Sequence, residues 1–263
     1  MKINWLFGFI VLFMFSISNA QESTIDLIKT EKLIVDAFLG FDKFENKYYI
    51  KHNTLFKISP SNEETAFQDL LLGDISRVDF LNPNKIIVFY QMANVVIILD
   101  NRLTEIDRQN FNTLSPFKNV SHAGSSKDQS LWIYNIDLNQ LELFDYRYDK
   151  TIAQSLPINN EILNLKNNFN FCFLQTSDGI LIYNIYGSLL KKIPKRDIMG
   201  FDVFKNKLVI HSQEGLEIYN QNFDLEELVK VNFEDYESLF YKDENLYLYN
   251  GEKIFFYSIT NKN

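Results

Sequence analysis

The sequence is poor in the residues that usually carry chemistry or cross-links. Its 263 residues hold one cysteine, Cys172, so no internal disulfide is available and stability has to come from a packed core. Cys172 lies in the apolar run Phe171-Cys172-Phe173-Leu174, where a thiol behaves as a small buried hydrophobe and stays inert. Histidine is nearly as scarce, with three in all. His52 falls in a hairpin turn, His122 in a polar loop and His211 at a strand end. None shares metal-ligand spacing with another histidine, the cysteine or a carboxylate pair, which leaves little support for a zinc site. Glycine and proline number only 9 and 5, and neither a Gly-x-Ser-x-Gly elbow nor a glycine-rich phosphate loop occurs. Positive charge is short as well: 26 Lys and Arg face 34 Asp and Glu, a formal net charge of −8. Nucleic-acid binding needs clustered cations to displace counterions, so the charge balance argues against that class. The one basic cluster, Lys191-Lys192-Ile193-Pro194-Lys195-Arg196, reads as a solvated turn between repeats.

Long apolar runs are missing too, and the one near the start stops early. Trp5 to Phe15 is eleven residues, well short of the roughly 20 that span a bilayer. With Lys2 ahead of it and Ser18-Asn19-Ala20 behind, residues 1–20 read as a secretory signal peptide cleaved after Ala20. Gln21 stands where a lipoprotein would carry cysteine. The expected mature chain, residues 21–263, is therefore a single soluble exported domain with a formal charge of −9 and no transmembrane anchor.

What the sequence has in quantity is aromatic and aliphatic side chains. Hydrophobic residues make up 46% of it, and 24 Phe with 14 Tyr favour strands over helices. An eight-residue phrase also occurs twice, as Gly40-Phe41-Asp42-Lys43-Phe44-Glu45-Asn46-Lys47 and as Gly200-Phe201-Asp202-Val203-Phe204-Lys205-Asn206-Lys207. Self-similarity at a distance is the mark of a repeat architecture. Six units follow, and their clearest parts are paired apolar strands. These are Lys47–Ile50 with Thr54–Ile58, Lys85–Tyr90 with Val95–Leu99, Ser130–Tyr134 with Gln140–Phe144, Asn170–Leu174 with Gly179–Tyr183, Lys207–His211 with Gly215–Tyr219, and Asn245–Tyr249 with Glu252–Tyr257.

The last apolar residue of each third strand (Ile58, Leu99, Phe144, Tyr183, Tyr219, Tyr257) recurs at intervals of 41, 45, 39, 36 and 38, the length of a four-stranded propeller blade. Asp178-Gly179, Glu214-Gly215 and Asn250-Gly251 sit where two-residue hairpins need a positive φ. Asp100, Asp145, Asn184 and Asn220 mark the next hairpin, because Asp and Asn satisfy turn amides. The sixth unit has no fourth strand of its own, and Thr24–Thr30 has the texture of the missing one. The expected fold is all-β, a six-bladed β-propeller closed by an N-terminal strand that completes the last blade.

The innermost strand of each blade faces the central channel, which brings Asp42, Asp79, Ser121, His122, Asn164, Asp202 and Ser238 there. A ring of carboxylates is a conceivable Ca²⁺ site. Repetition of Asp42, Asp79 and Asp202 points instead to a scaffold role, bonding backbone amides at strand ends, and no cofactor or metal is assigned. The segment Ser115–Ser130 makes the third unit the longest, and irregular insertions on a rigid ring are where binding loops reside. Its His122, Ser125, Ser126, Lys127 and Asp128 are the candidate partner-binding residues. No catalytic residue is assigned. The Asp-box turns of propeller sialidases are absent, since Ser177-Asp178-Gly179 runs on into aliphatics.

The six Asn- and Tyr-rich units and the leader ending Ser-Asn-Ala-Gln resemble exported β-propeller proteins of Bacteroidota. Within that group the chain is similar to the periplasmic plug subunit of the type IX secretion translocon. That resemblance implies a periplasmic, non-enzymatic protein-interaction module whose partner is an outer-membrane protein. Two other classes stay open: a glycan- or small-molecule-binding propeller, and a propeller hydrolase or lyase.

Overall fold

A computed structural model describes residues 23–233 and 235–261. The leader assigned to residues 1–20 lies outside them. Among the described residues twenty-four strands form six antiparallel sheets of four, five of them meanders and the sixth a three-stranded meander completed by the N-terminal strand. Strand β1 (Ser23–Lys32) precedes the first blade, which comprises β2 (Ala37–Phe41), β3 (Lys47–Lys51), β4 (Thr54–Ile58) and β5 (Glu64–Phe67). Blade 2 holds β6 (Arg77–Asn82), β7 (Lys85–Tyr90), β8 (Val95–Leu99) and β9 (Glu105–Asn110). Blade 3 holds β10 (Val120–Ser125), β11 (Ser130–Asn135), β12 (Gln140–Asp145) and β13 (Lys150–Gln154). Blade 4 holds β14 (Asn164–Asn167), β15 (Phe171–Thr176), β16 (Gly179–Asn184) and β17 (Leu189–Pro194). Blade 5 holds β18 (Gly200–Phe204), β19 (Lys207–Ser212), β20 (Gly215–Tyr219) and β21 (Leu225–Val229). Blade 6 is β22 (Ser238–Lys242), β23 (Asn245–Tyr249) and β24 (Lys253–Asn261), with β1 as its outermost strand. The N-terminal strand pairs antiparallel with β24 from Ser23 opposite Asn261 to Lys32 opposite Lys253, so the expected closure is present.

The core is divided among the blade junctions. Successive strand residues face opposite ways, so each middle strand feeds two junctions at once. Ile86, Val88 and Tyr90 pack toward blade 1 with Tyr48 and Leu55, while Ile87 and Phe89 pack toward blade 3 with Leu131, Ile133 and Phe144. This is why β7 and β8 are buried at every residue and read as unbroken apolar runs. Cys172 belongs to the cluster between blades 3 and 4, and burial pushes its thiol up. The basic cluster is not a turn: Lys191 to Pro194 lie in β17, and Lys195 pairs with Glu214 and Glu217 at 2.7 and 2.6 Å.

A four-stranded meander places its connections on two faces. First-to-second and third-to-fourth strand turns form a lower face; second-to-third turns and the crossings to the next blade form an upper face. On the lower face, polar side chains link each blade to the next. Lys57 donates to the Asn101 carbonyl from blade 1 to 2, and Lys85 donates to the Ser126 carbonyl at 3.3 Å from blade 2 to 3. Ser126 Oγ donates to the Phe169 carbonyl at 3.4 Å, and Asn168 Nδ2 to the Lys205 carbonyl at 2.5 Å. Lys205 pairs with Asp243 at 2.9 Å, and Lys242 donates to the Asp42 carbonyl at 2.6 Å, which completes the circuit.

Turn chemistry holds with one correction. Asp100, Asp145, Asn184 and Asn220 each accept from amides of the following turn, as for Asn184 Oδ1 with Tyr186 N and Ser188 N, both at 3.0 Å. Gly251 lies in the β23–β24 connection with a φ of +89°, as expected, but the other two glycines follow their two-residue turns instead of occupying them. Gly179 and Gly215 are the first residues of β16 and β20, with φ of +138° and +129°.

Candidate functional site

Six inner strands, β2, β6, β10, β14, β18 and β22, surround the channel. A cavity of about 180 Å³ opens there, lined by Asp42, Asp79 and Asp202 together with Arg77, Lys166 and Asn167. Ser121, His122, Asn164 and Ser238 do not line it.

Arg77 is the residue that organises this space. It starts β6 in blade 2, yet its Nη1 donates to the Leu165 carbonyl and its Nη2 to Asn167 Oδ1 at 3.0 Å, both in blade 4. The guanidinium thus passes over β10 of the intervening blade. Burial pulls its pKa below the usual arginine value, opposed by the charges of Asp79 and Asp202. Asn167 turns its amide the other way, donating to Asp79 Oδ2 at 2.7 Å and to the Ser125 carbonyl at 2.8 Å. Gly124 makes this possible, because a Cβ there would sit 2.4 Å from Asn167 Oδ1.

The three aspartates are amide acceptors, as the repeat implied, but each in a different way. Asp79 Oδ1 accepts from Leu81 N at 2.9 Å within its own hairpin, while Oδ2 accepts from Ser125 N at 2.7 Å in the next blade. Asp202 Oδ2 accepts from Tyr241 N of blade 6 at 2.9 Å, and its other oxygen pairs with Lys166 at 3.1 Å. Lys166 also sits 5.2 Å from the centre of the Phe240 ring. Asp42 stays within its own blade, accepting from Phe44 N at 2.8 Å, Asn46 N at 3.0 Å and Asn46 Nδ2 at 2.7 Å in its turn and from the Tyr48 hydroxyl of β3 at 3.1 Å. Among the described residues, no group of three His, Cys, Asp or Glu is placed to hold a metal ion.

The loop expected around His122 is a strand. Val120–Ser125 is β10, and the connection before it spans residues 111–119, the same nine residues as the connections before β6 and β14. The five candidate partner-binding residues are accordingly dispersed. Ser125 and Ser126 are buried, the latter within the lower-face circuit; Lys127 and Asp128 are exposed in the β10–β11 turn. His122 lies near the opposite end of β10, half-buried, with its Nδ1 2.9 Å from Ser121 Oγ. Burial, then the charge of Arg77, lowers its pKa to about 4. A histidine so depressed is neutral at pH 7 and a weak base, and the hydroxyl beside it gains little nucleophilicity from it. His211 is in β19, its Nδ1 2.7 Å from the Tyr236 hydroxyl, and burial lowers its pKa as well.

Sequence reasoning passed over Arg77, Lys166 and Asn167. The signal was the alternation Arg77-Val78-Asp79-Phe80, which puts a cation and a carboxylate on one face of a strand whose other face is apolar.

No protein-family model matches the chain, and no curated protein matches it by sequence. Solved structures do match in fold. The WD40 domain of Neurospora crassa Pan2 is 11% identical, with a TM-score of 0.59 over 87% of this chain and 76% of that one. A chain of the Mitotic Checkpoint Complex is 9% identical, with a TM-score of 0.61 over 88% and 76%. Streptogramin B lyase is 10% identical, with a TM-score of 0.57 over 88% of this chain and 98% of its own. At such identities the likeness is one of propeller architecture.

Proposed function

We propose that this chain is a non-enzymatic protein-interaction scaffold, and more narrowly a periplasmic subunit of an outer-membrane-associated assembly, such as a plug or accessory of the type IX protein secretion translocon. The observation that carries the scaffold reading is the use made of the channel. Most of its polar groups are spent on bracing, Arg77 Nε excepted: the Arg77 Nη atoms tie blade 2 to blade 4, Asp79 ties blade 2 to blade 3, and Asp202 ties blade 5 to blade 6. The space left in the channel, about 180 Å³, is below the roughly 300 Å³ at which ligand pockets usually begin, and the larger hollow of about 390 Å³ between Lys205 and Glu244 lies outside it on the lower face. That favours protein recognition on the ring's surface over the binding of a glycan or small molecule inside it. The outer-membrane and type IX part rests on the leader and on the Asn- and Tyr-rich units. Among the described residues no helix is long and apolar enough to cross a membrane.

Affinity purification of the tagged chain from mildly solubilised membranes tests this reading. A stoichiometric outer-membrane partner is the expected result. Recovery of the chain alone would sink it.

A further inference from the structure

The two faces of the ring differ in what they expose. Among the described residues the four most exposed large apolar side chains are Leu71, Met92, Leu156 and Leu70, at 93, 91, 85 and 81%. All four lie on the upper face. Leu70 and Leu71 are in the crossing from blade 1 to 2, Met92 in the β7–β8 turn, and Leu156 in the crossing from blade 3 to 4. Phe117, in the crossing from blade 2 to 3, and Leu138, in the β11–β12 turn, fall between them and are each 50% exposed. Taken around the ring, these positions make an unbroken arc from the first junction to the third. The lower face offers no comparable run: its most exposed large apolar residues, Tyr148 and Tyr186, carry hydroxyls and sit in the third-to-fourth strand turns of blades 3 and 4, and Phe44, 57% exposed, stands apart from them in the first turn of blade 1.

Charge identifies what the arc would meet. In the five connections that build it, the exposed unpaired-sign charges are acidic: Asp74, Asp137 and Glu161. Their one cation, Lys118, is buried against Glu142 at 2.6 Å. An apolar surface flanked by carboxylates disfavours an anionic lipid surface, and a second copy would set acid against acid. We infer that this upper-face arc docks a polypeptide segment of another protein in which apolar side chains are flanked by Lys or Arg. Apolar contact supplies the affinity and the carboxylates supply orientation and encounter rate. The inference rests on the scaffold reading and adds to it the face used and the partner's chemistry.

Photo-cross-linking in the cells the protein comes from tests it on the full chain. p-Benzoylphenylalanine is placed at Leu71 on the arc and, separately, at Tyr186 on the lower face. The expected result is a protein adduct from position 71 whose cross-linked peptide is apolar with neighbouring Lys or Arg. Its yield falls about tenfold in a Leu70→Ser, Met92→Ser, Leu156→Ser background, whose exposed sites leave the fold intact by circular dichroism. Asp74→Asn, Asp137→Asn, Glu161→Gln lowers the adduct's rate of formation and its salt dependence. Adducts from position 186 alone would overturn the arc and leave the scaffold reading standing. No protein adduct from either position would overturn both. An adduct to a second copy of the chain, to lipid, or to an acidic segment would also overturn the inference.

Discussion

At the scale of single residues, the channel is organised by groups that neutralise one another's burial. Asp79 satisfies three donors, and two of them, Ser125 N and Asn167 Nδ2, come from other blades. Asp79→Ala leaves Ser125 N and one of the two Asn167 Nδ2 protons without an acceptor, the other still reaching the Ser125 carbonyl, and removes a counter-charge from Arg77. At about 1–3 kcal/mol for each unsatisfied buried group, a loss near 4 kcal/mol is expected in urea denaturation. A change below about 1 kcal/mol would mean the bridge contributes nothing. His122 is the second case. Its pKa is about 4 in the folded chain against an ordinary 6.5, so between those values the unfolded chain holds a proton that the folded chain does not. Stability is therefore fully present above pH 6.5 and declines as the pH falls toward 4, by up to about 3 kcal/mol. His211 is displaced in the same direction and adds to the decline. Denaturation midpoints from pH 4 to 7 should show that slope, and His122→Gln should flatten it. An unchanged slope in that variant would place the proton elsewhere.

At the scale of elements, the paired strands were legible, several of them to the residue, and the turns and long-range ties were not. Runs such as Lys85–Tyr90 and Val95–Leu99 have the bounds expected of them, because β-branched and aromatic residues buried on both faces leave no alternative. The repeated phrase misled. In blade 5, Gly200 to Phe204 is all strand and turns on two residues, with Phe204 opposite Lys207. In blade 1 the strand stops at Phe41, opposite Lys47, and Asp42 caps a five-residue turn. Val203 extends the strand where Lys43 does not, so Asp202 reaches across to blade 6 while Asp42 stays local. Arg77 escaped notice because its partners are 88 and 90 residues away, beyond any local pattern. The glycines teach a related lesson. Gly179 is required less by the turn than by the outer strand, since a Cβ would lie 2.0 Å from the Ile193 carbonyl oxygen. Gly179→Ala should cost about 2 kcal/mol, from that clash and a φ of +138°. Gly73→Ala is its control, because nothing lies within 4 Å of a Cβ there and only the φ of +78° resists it. Equal losses in the two variants would show that the carbonyl contact is unimportant.

At the scale of the whole molecule, stability depends on a circle being closed. Every blade is clamped by two neighbours, and among the described residues the junction between blades 6 and 1 has the smallest fully buried core, Phe38, Tyr247, Tyr249 and Ile254, with half-buried side chains such as Phe41 and Phe240 packed on it. Aromatic edge contacts reinforce it, as between Phe38 and Phe240 at 5.2 Å, and Lys242 ties the lower face across the same junction. Strand β1 is the remaining clasp. It covers the β24 edge from Ser23 to Lys32 and places Ile25 against the core between blades 5 and 6. A chain that begins at Leu33 therefore loses a complete ladder and exposes an unpaired edge, at an expected cost of at least about 4 kcal/mol and with concentration-dependent self-association. The manner of unfolding should change as well. Trp132, fully buried between blades 3 and 4, reports on the side of the ring away from the clasp, while far-ultraviolet circular dichroism reports on all six sheets. With residues 21–263 both signals should follow one transition in urea, because no blade can leave a closed ring alone. Without β1 the last blade can open first, so circular dichroism should fall at lower urea than tryptophan fluorescence. Coincident transitions in the shortened chain would show that cooperativity comes from the junction cores and that the clasp is dispensable.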